Sequence, residues 1–340
     1  MSAVIFDKVS IVFGNKPKSA LPLMDAGKDR SEIQIATGQV LGVHDCSLTV
    51  EEGEILVLMG LSGSGKSTLL RAVNGLNPVV RGTVQVNDGD GMVDVTSANA
   101  ATLRRMRQTR IAMVFQQFGL LPWRSVRENV GLGLELAGQS KTERHATVDK
   151  QLALVGLSDW AERKVGDLSG GMQQRVGLAR AFCTEAPLLL MDEPFSALDP
   201  LIRTRLQDEL LDLQRDLKRT IIFVSHDLDE AFKLGDRIAI MEGGRIVQCG
   251  TPRDIFTHPA DDYVADFVAH MNPLGVLTAH DVMEPASGKH TAFVPANETI
   301  QAVMEKFAGS GKSIGVKDGD KIIGQITRDT VLAKLLDPRS

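Results

Sequence analysis

Residues 53 to 71 read Gly53-Glu-Ile-Leu-Val-Leu-Met-Gly60-Leu-Ser-Gly-Ser-Gly65-Lys66-Ser67-Thr-Leu-Leu-Arg71. The apolar run Ile55 to Met59, bounded by Gly53-Glu54 and Gly60, predicts a buried strand. Gly60, Leu61, Ser62, Gly63, Ser64, Gly65, Lys66 and Ser67 fill every position of G-x-x-x-x-G-K-[ST]. Thr68 follows, and Leu69, Leu70 and Val73 then recur at helical spacing. A strand that turns through glycines into a helix N-terminus aims several backbone N–H groups at one point. The helix dipole adds positive potential there, so the cradle takes a polyphosphate. Lys66 would reach the β- and γ-phosphates, and the Ser67 hydroxyl would hold Mg²⁺.

The 340 residues allow one large domain and a small one. Hydrophobic residues make up 43% and charged residues 24%, an ordinary balance for a globular protein. The net charge of −5 argues against a chain that wraps nucleic acid. No apolar run approaches the roughly 18 residues needed to cross a bilayer. The N-terminus Met-Ser-Ala-Val-Ile-Phe-Asp has no signal-peptide pattern. Cys46, Cys183 and Cys249 are far apart and form no metal or redox pair, as expected in a reducing cytosol. Any membrane role is then exercised through a partner.

Outward from the glycine loop, strands are expected at 4–13, 43–50 and 83–86, and a basic helix at 101–108. Between them, Asn15 to Gly42 reads as a surface insertion with Pro17, Pro22 and a short helix starting at Ser31-Glu32. Four apolar runs at 55–59, 111–115, 188–191 and 221–224 are continuous rather than alternating, the pattern of parallel strands covered on both faces. Each leads into a chemically loaded group: the glycine loop, Gln116, Asp192-Glu193 and His226. Ligands of open α/β sheets bind outside the carboxyl ends of the strands, so four such ends converge on one nucleotide.

Asp192, at the end of an apolar run, is placed as a Mg²⁺-holding carboxylate beside a phosphate loop. Glu193 would point to the opposite side of an extended chain and accept a proton from the attacking water. Gln116 would bridge Mg²⁺ and that water, and His226 would contact the γ-phosphate. A second bare helix N-terminus is formed by Ser169, Gly170 and Gly171 within Leu168-Ser-Gly-Gly-Met-Gln-Gln-Arg175. One ATP already has its phosphates cradled by the first terminus. The economical arrangement is two copies, head to tail, each second terminus capping the nucleotide of its mate.

Together with Ser196-Ala-Leu-Asp199, these motifs resemble the full set of the ATPase subunits of ABC transporters, over roughly residues 4 to 273. The resemblance implies Walker A at 60–67, the Q-loop at Gln116, the signature at 168–172, Walker B at 188–192, the D-loop at 196–199 and the switch His226. It also implies ATP and Mg²⁺ as ligands and an adenine-stacking aromatic, for which Phe13 is the fitting position. The fold so implied is α/β: a mainly parallel sheet with an antiparallel β subdomain and a helical subdomain at about 117–165. Its partners would be a second ATPase subunit, a transmembrane permease and, indirectly, a solute-binding protein. The chain would work peripherally at the cytoplasmic face of a bacterial inner membrane.

A narrower resemblance rests on Val57-Leu-Met-Gly-Leu-Ser-Gly-Ser-Gly and on the spacing Ala20-Leu…Asp25…Gly27…Arg30…Glu32-Ile33…Thr37-Gly38. Both are similar to ATPase subunits of importers for glycine betaine, proline betaine and choline. Importers of another small polar solute, such as an amino acid, and non-transport ABC ATPases are the alternatives. Residues 277 to 336 form a small α+β domain: a strand at 293–294, helices at 297–307 and 329–336, and a hairpin over 313–327. It resembles a single cystathionine-β-synthase-type (CBS) motif. Thr330 stands where that family's ribose-binding acid would fall, which leaves a dimerisation or ionic-strength-regulatory role.

Overall fold

The computed structural model describes residues 1–269, 273–287, 290–307 and 313–336. They fall into two compact units, one of residues 1–226 with 239–247, the other of residues 227–238 with 248 onward.

The first unit opens with β1 (Ser2–Phe13), then the short α1 (Leu21–Asp25) and α2 (Arg30–Thr37), then β2 (Val40–Glu51). The helix expected in the insertion exists, but it starts one residue before Ser31. Asp29 caps it through the N–H of Glu32, whose side chain returns to the Asp29 N–H, closing a capping box. Gly38, left-handed, ends it. Next come β3 (Ile55–Met59), α3 (Lys66–Ala72), β4 (Arg81–Asn87) and β5 (Met92–Asp94). Strands β2, β1, β4 and β5 pair in that order, all antiparallel, as the expected β subdomain.

After α4 (Ala100–Thr109) and β6 (Ile111–Val114), the chain forms α5 (Val126–Val130), α6 (Leu132–Leu136) and α7 (Lys141–Leu154), the helical segment anticipated at about 117–165. Then come α8 (Gly170–Cys183), β7 (Leu188–Asp192), α9 (Pro200–Leu217), β8 (Thr220–Val224), α10 (Leu228–Leu234), β9 (Arg237–Glu242) and β10 (Arg245–Gly250). The six-stranded sheet runs β10-β9-β3-β8-β7-β6. Its four continuous apolar strands are neighbours and parallel: β3 with β8, β8 with β7, β7 with β6. Every residue of β3, β7 and β8 is buried, which is why these runs do not alternate. Their carboxyl ends lie side by side, so the residues just past each strand are delivered to one edge.

Beyond β10, the second unit contains α11 (Pro252–Thr257), α12 (Asp262–Phe267), α13 (Ala279–Val282), β11 (Phe293–Pro295), α14 (Ile300–Phe307), β12 (Ser313–Asp318), β13 (Lys321–Thr327) and α15 (Arg328–Leu336). Its sheet has the order β11-β12-β13, parallel then antiparallel, and the hairpin expected over 313–327 turns between Asp318 and Lys321. Val294, Ile314, Val316 and Ile326 are buried with Ile300, Val303 and Phe307 of α14. Thr330 is engaged locally: its Oγ1 accepts from Thr327 N at 3.0 Å, and its own N–H donates to Thr327 Oγ1 at 3.2 Å. The junction expected at about residue 273 borders positions outside the described residues.

Candidate nucleotide-binding site

The glycine loop between β3 and α3 is tightly backed. Gly65 caps α3 with φ +105°, and a Cβ there would sit 2.6 Å from Gly42 O. Gly60, at φ +137°, lies against Met241 O so closely that a Cβ would overlap it. Both positions therefore require glycine. The loop encloses its own cation. Lys66 is buried, and its Nζ donates to Gly60 O at 2.7 Å and Leu61 O at 2.9 Å. Burial pushes this ammonium below its ordinary pKa, while Glu193 and Asp192 act in the opposite direction. A cation held by two loop carbonyls can exchange them for phosphate oxygens with little rearrangement.

Asp192 ends β7 with no solvent exposure, and α3 supplies both of its partners. Ser67 Oγ donates to Oδ1 at 2.6 Å, and Arg71 donates to Oδ2 from Nη2 at 2.8 Å and Nε at 3.2 Å. Ser67 and Arg71 are four residues apart, so one helix face presents both to the strand end. The Ser67 hydroxyl and the Asp192 carboxylate are hard oxygens in contact at the mouth of a phosphate loop. That donor set fits Mg²⁺, which is usually bound by one or two protein oxygens plus phosphate and water.

Glu193 departs from the extended chain anticipated from the sequence. The strand stops at Asp192, and Glu193 has φ +50°, a left-handed conformation unusual outside glycine. Its N–H donates to Val224 O at 3.1 Å, pinning the turn to β8. Its carbonyl accepts from Gln174 Nε2 at 3.1 Å and Ser196 Oγ at 3.0 Å. This turn, not the alternation of a strand, sets the direction of the carboxylate. Gln116 Nε2 donates to Glu193 Oε2 at 3.0 Å, and His226 Nδ1 lies 3.6 Å from the same oxygen.

Lys66, Ser67, Gln116, Glu193 and His226 share one cavity of about 700 Å³, whose walls do not include Asp192. Its walls are Ser62, Gly63, Gly65, Lys66, Ser67 and Thr68 of the loop region, Gln116, Glu193 and His226 from the other strand ends, and half-exposed Phe13 with Val40 to Gly42. Two further wall residues, Arg30 and Gln34, come from the insertion, whose inner face is therefore not bare surface. Ser169, Gly170, Gly171 and Asp199 do not line this cavity. Ser169 caps α8 by accepting from Met172 N at 3.3 Å, and Asp199 caps α9 by accepting from Ile202 N at 3.1 Å. A Cβ on Gly170 would meet nothing within 4 Å.

Sequence reasoning missed three participants. Arg71 had a signal, its four-residue spacing from Ser67. Gln174 is almost fully buried, and its amide joins the Glu193 carbonyl to the N–H of Ala197, which donates to Oε1 at 3.0 Å. It lay inside a quoted motif, but only the fold shows that it supports the Glu193 turn. Arg30 gave no local signal of its target.

A phosphate loop, a buried strand-end aspartate and a turned glutamate at the carboxyl edge of a parallel sheet define a P-loop nucleotide hydrolase. The ABC transporter family pattern matches residues 43–196. The glycine betaine transport ATP-binding protein OpuAA of Bacillus subtilis is 45% identical over 320 residues, which is 94% of this chain and 75% of that protein. The glycine betaine/proline betaine transport system ATP-binding protein ProV of Salmonella typhimurium is 44% identical over 95% of this chain and 80% of its own. Among solved structures, the dimeric ATP-binding cassette MJ0796, in a post-hydrolysis state bound to ADP and Pi, matches with TM-score 0.64. It is 28% identical and covers 73% of this chain and 98% of that one. The chain belongs to the ABC transporter family, as an ATP-binding and ATP-hydrolysing subunit. No helix among the described residues is long and apolar enough to cross a membrane.

Proposed function

We propose that two copies of this chain form the ATP-driven motor of an importer for a quaternary amine osmolyte such as glycine betaine, proline betaine or choline. The site reading rests on one observation, the convergence of four parallel strand ends on the cavity that holds the Lys66 loop. The cargo reading is supported by the 45% identity to a glycine betaine transport ATP-binding protein over 94% of the chain. Nothing in this chain would itself touch the cargo.

In each half-site Lys66 and the loop N–H groups from Gly60 to Thr68 bind the triphosphate, and Phe13 stacks on adenine. Ser67, Asp192 and Gln116 would hold Mg²⁺, which when bound would supply neutralisation of the charge developing on the phosphates. Glu193 Oε2 accepts a proton from the attacking water, while Gln116 and His226 orient that carboxylate and the γ-phosphate end. Ser169, Gly170 and Gly171 of the mate close over the same phosphate, with Asp199 at the seam. Open space around Gly170 supports this, because among the described residues nothing lies within 4 Å of where its Cβ would be.

Closure of the pair would move the 117–165 segment, which grips a permease at the cytoplasmic face of a bacterial inner membrane. A solute-binding protein would deliver the cargo on the other side. The βαββα order of β11 to α15 supports a CBS-like dimerisation or ionic-strength-regulatory role for the region 277–336. The test is reconstitution with the neighbouring permease and solute-binding protein in vesicles. ATP-dependent uptake of labelled glycine betaine, abolished by Glu193→Gln, is expected. Turnover stimulated by an amino acid and not by any quaternary amine would reassign the cargo.

A further inference from the structure

The second helix of the insertion at 15–42 reaches the phosphate loop. Arg30 and Gln34, one turn apart on α2, both face the nucleotide cavity. Arg30 Nη1 donates to Gly63 O, 2.5 Å away, and Nη2 donates to Gly42 O. Gly63 belongs to the phosphate loop. The Gly42 carbonyl is the atom against which Gly65 is packed. A single guanidinium thus binds the loop and the strand behind it.

The peptide it holds is fixed from its other side as well, since Ser64 N donates to Leu61 O at 3.1 Å. The next carbonyl, Ser64 O, accepts from Gly244 N at 3.0 Å. The two carbonyls flanking the centre of the loop are therefore tied outward, one to α2 and one to the β9–β10 turn. The insertion is built to keep Arg30 in place. Ala20, Met24 and Ile33 are buried in a cluster with Val12 and Leu41, Asp25 pairs with Arg81 at 2.5 Å, and Asp29 with Glu32 closes the capping box.

We propose that Arg30 is a positioning residue of the phosphate loop, which sets the Gly63–Ser64 peptide before nucleotide arrives. A carbonyl satisfied by a cation does not repel phosphate, and the fixed charge behind the loop adds to its attraction for anions. This rests on the nucleotide-site reading above. Because the loop binds phosphate in ground and transition states alike, loss of Arg30 raises KM and leaves kcat in place.

The experiment compares the full chain with Arg30→Ala and Arg30→Lys, measuring ATPase kcat and KM together with Mg-ADP affinity. For Arg30→Ala, KM for ATP and Kd for ADP rise about tenfold, the worth of a charge-assisted hydrogen bond, with kcat within about twofold. Arg30→Lys recovers only part, because an ammonium lacks the planar fork that spans two carbonyls. Arg30→Gln gives the same comparison if the alanine variant does not fold. The proposal is overturned by KM and Kd within about twofold of the parent, or by a fall in kcat at unchanged KM, the mark of an interaction made only in the transition state. A parent chain that binds no ATP would defeat the nucleotide reading instead, and the two failures are separable.

Discussion

Gln116 Nε2 donates a 3.0 Å hydrogen bond to Glu193 Oε2, joining the residues just beyond β6 and β7 across 77 positions of sequence. His226 Nδ1 approaches the same oxygen at 3.6 Å, so three strand ends meet on one carboxylate. The group expected to take the proton from water is thereby oriented by the chain's own residues.

Glu193→Gln keeps the size of the side chain and an oxygen for Gln116, and removes only the base. ATP affinity should stay close to that of the parent, while turnover falls by about 10²–10⁴, the usual worth of a general base. Phosphate release at saturating ATP measures it, and unchanged turnover removes Glu193 from the role.

Lys66→Ala leaves the carbonyls of Gly60 and Leu61 without their cation and the phosphates without theirs. Calorimetric titration should show ATP affinity weakened about ten- to hundredfold, the range for a charge-assisted hydrogen bond.

Gly170→Arg places a long side chain where the protomer offers open space. Its melting temperature should match the parent. In a Glu193→Gln background, ATP should still bind, yet size-exclusion chromatography should no longer show ATP-driven pairing. A pair that forms as readily as before would defeat the head-to-tail arrangement.

Gln174→Leu removes the acceptor of the Ala197 N–H from a buried position and one donor from the Glu193 carbonyl. An unsatisfied buried group costs about 1–3 kcal/mol, which urea unfolding would register. Turnover should fall together with stability, because the Glu193 turn loses its support.

In the helical segment, Arg124 and then Arg144 hold the Glu135 carboxyl down to about 2. Its folded value lies below the ordinary 4.5, so the stabilisation is fully present above 4.5 and is lost as pH falls toward about 2. The side chain is 38% exposed, so screening limits the contribution to about 1 kcal/mol or less. Glu135→Gln should be less stable than the parent at pH 7, with the gap closing between pH 4.5 and pH 2 in denaturant titrations.

Much of this arrangement could be read from the sequence, because continuous apolar strands and glycine turns are local signals. The four strands at 55–59, 111–114, 188–192 and 220–224 stand within a residue of the apolar runs that announced them. Glu193 shows where such reading fails. Alternation along a strand presumes extended backbone, and the left-handed turn arises from bonds to Val224, Gln174 and Ser196, distant in sequence except for the last. Arg30 fails for the same reason. Its partners are backbone carbonyls 33 and 12 residues away, and a carbonyl has no sequence signature.

Asp192 has both oxygens occupied, Oδ1 by Ser67 and Oδ2 by Arg71. Among the described residues no cluster of three or more His, Cys, Asp or Glu forms a cage for a cation. One carboxylate already balanced by a guanidinium will not strip magnesium of its water by itself. A divalent ion at this site would then arrive and depart with the triphosphate. Dialysis against a chelator should accordingly leave the melting of the resting chain where it was.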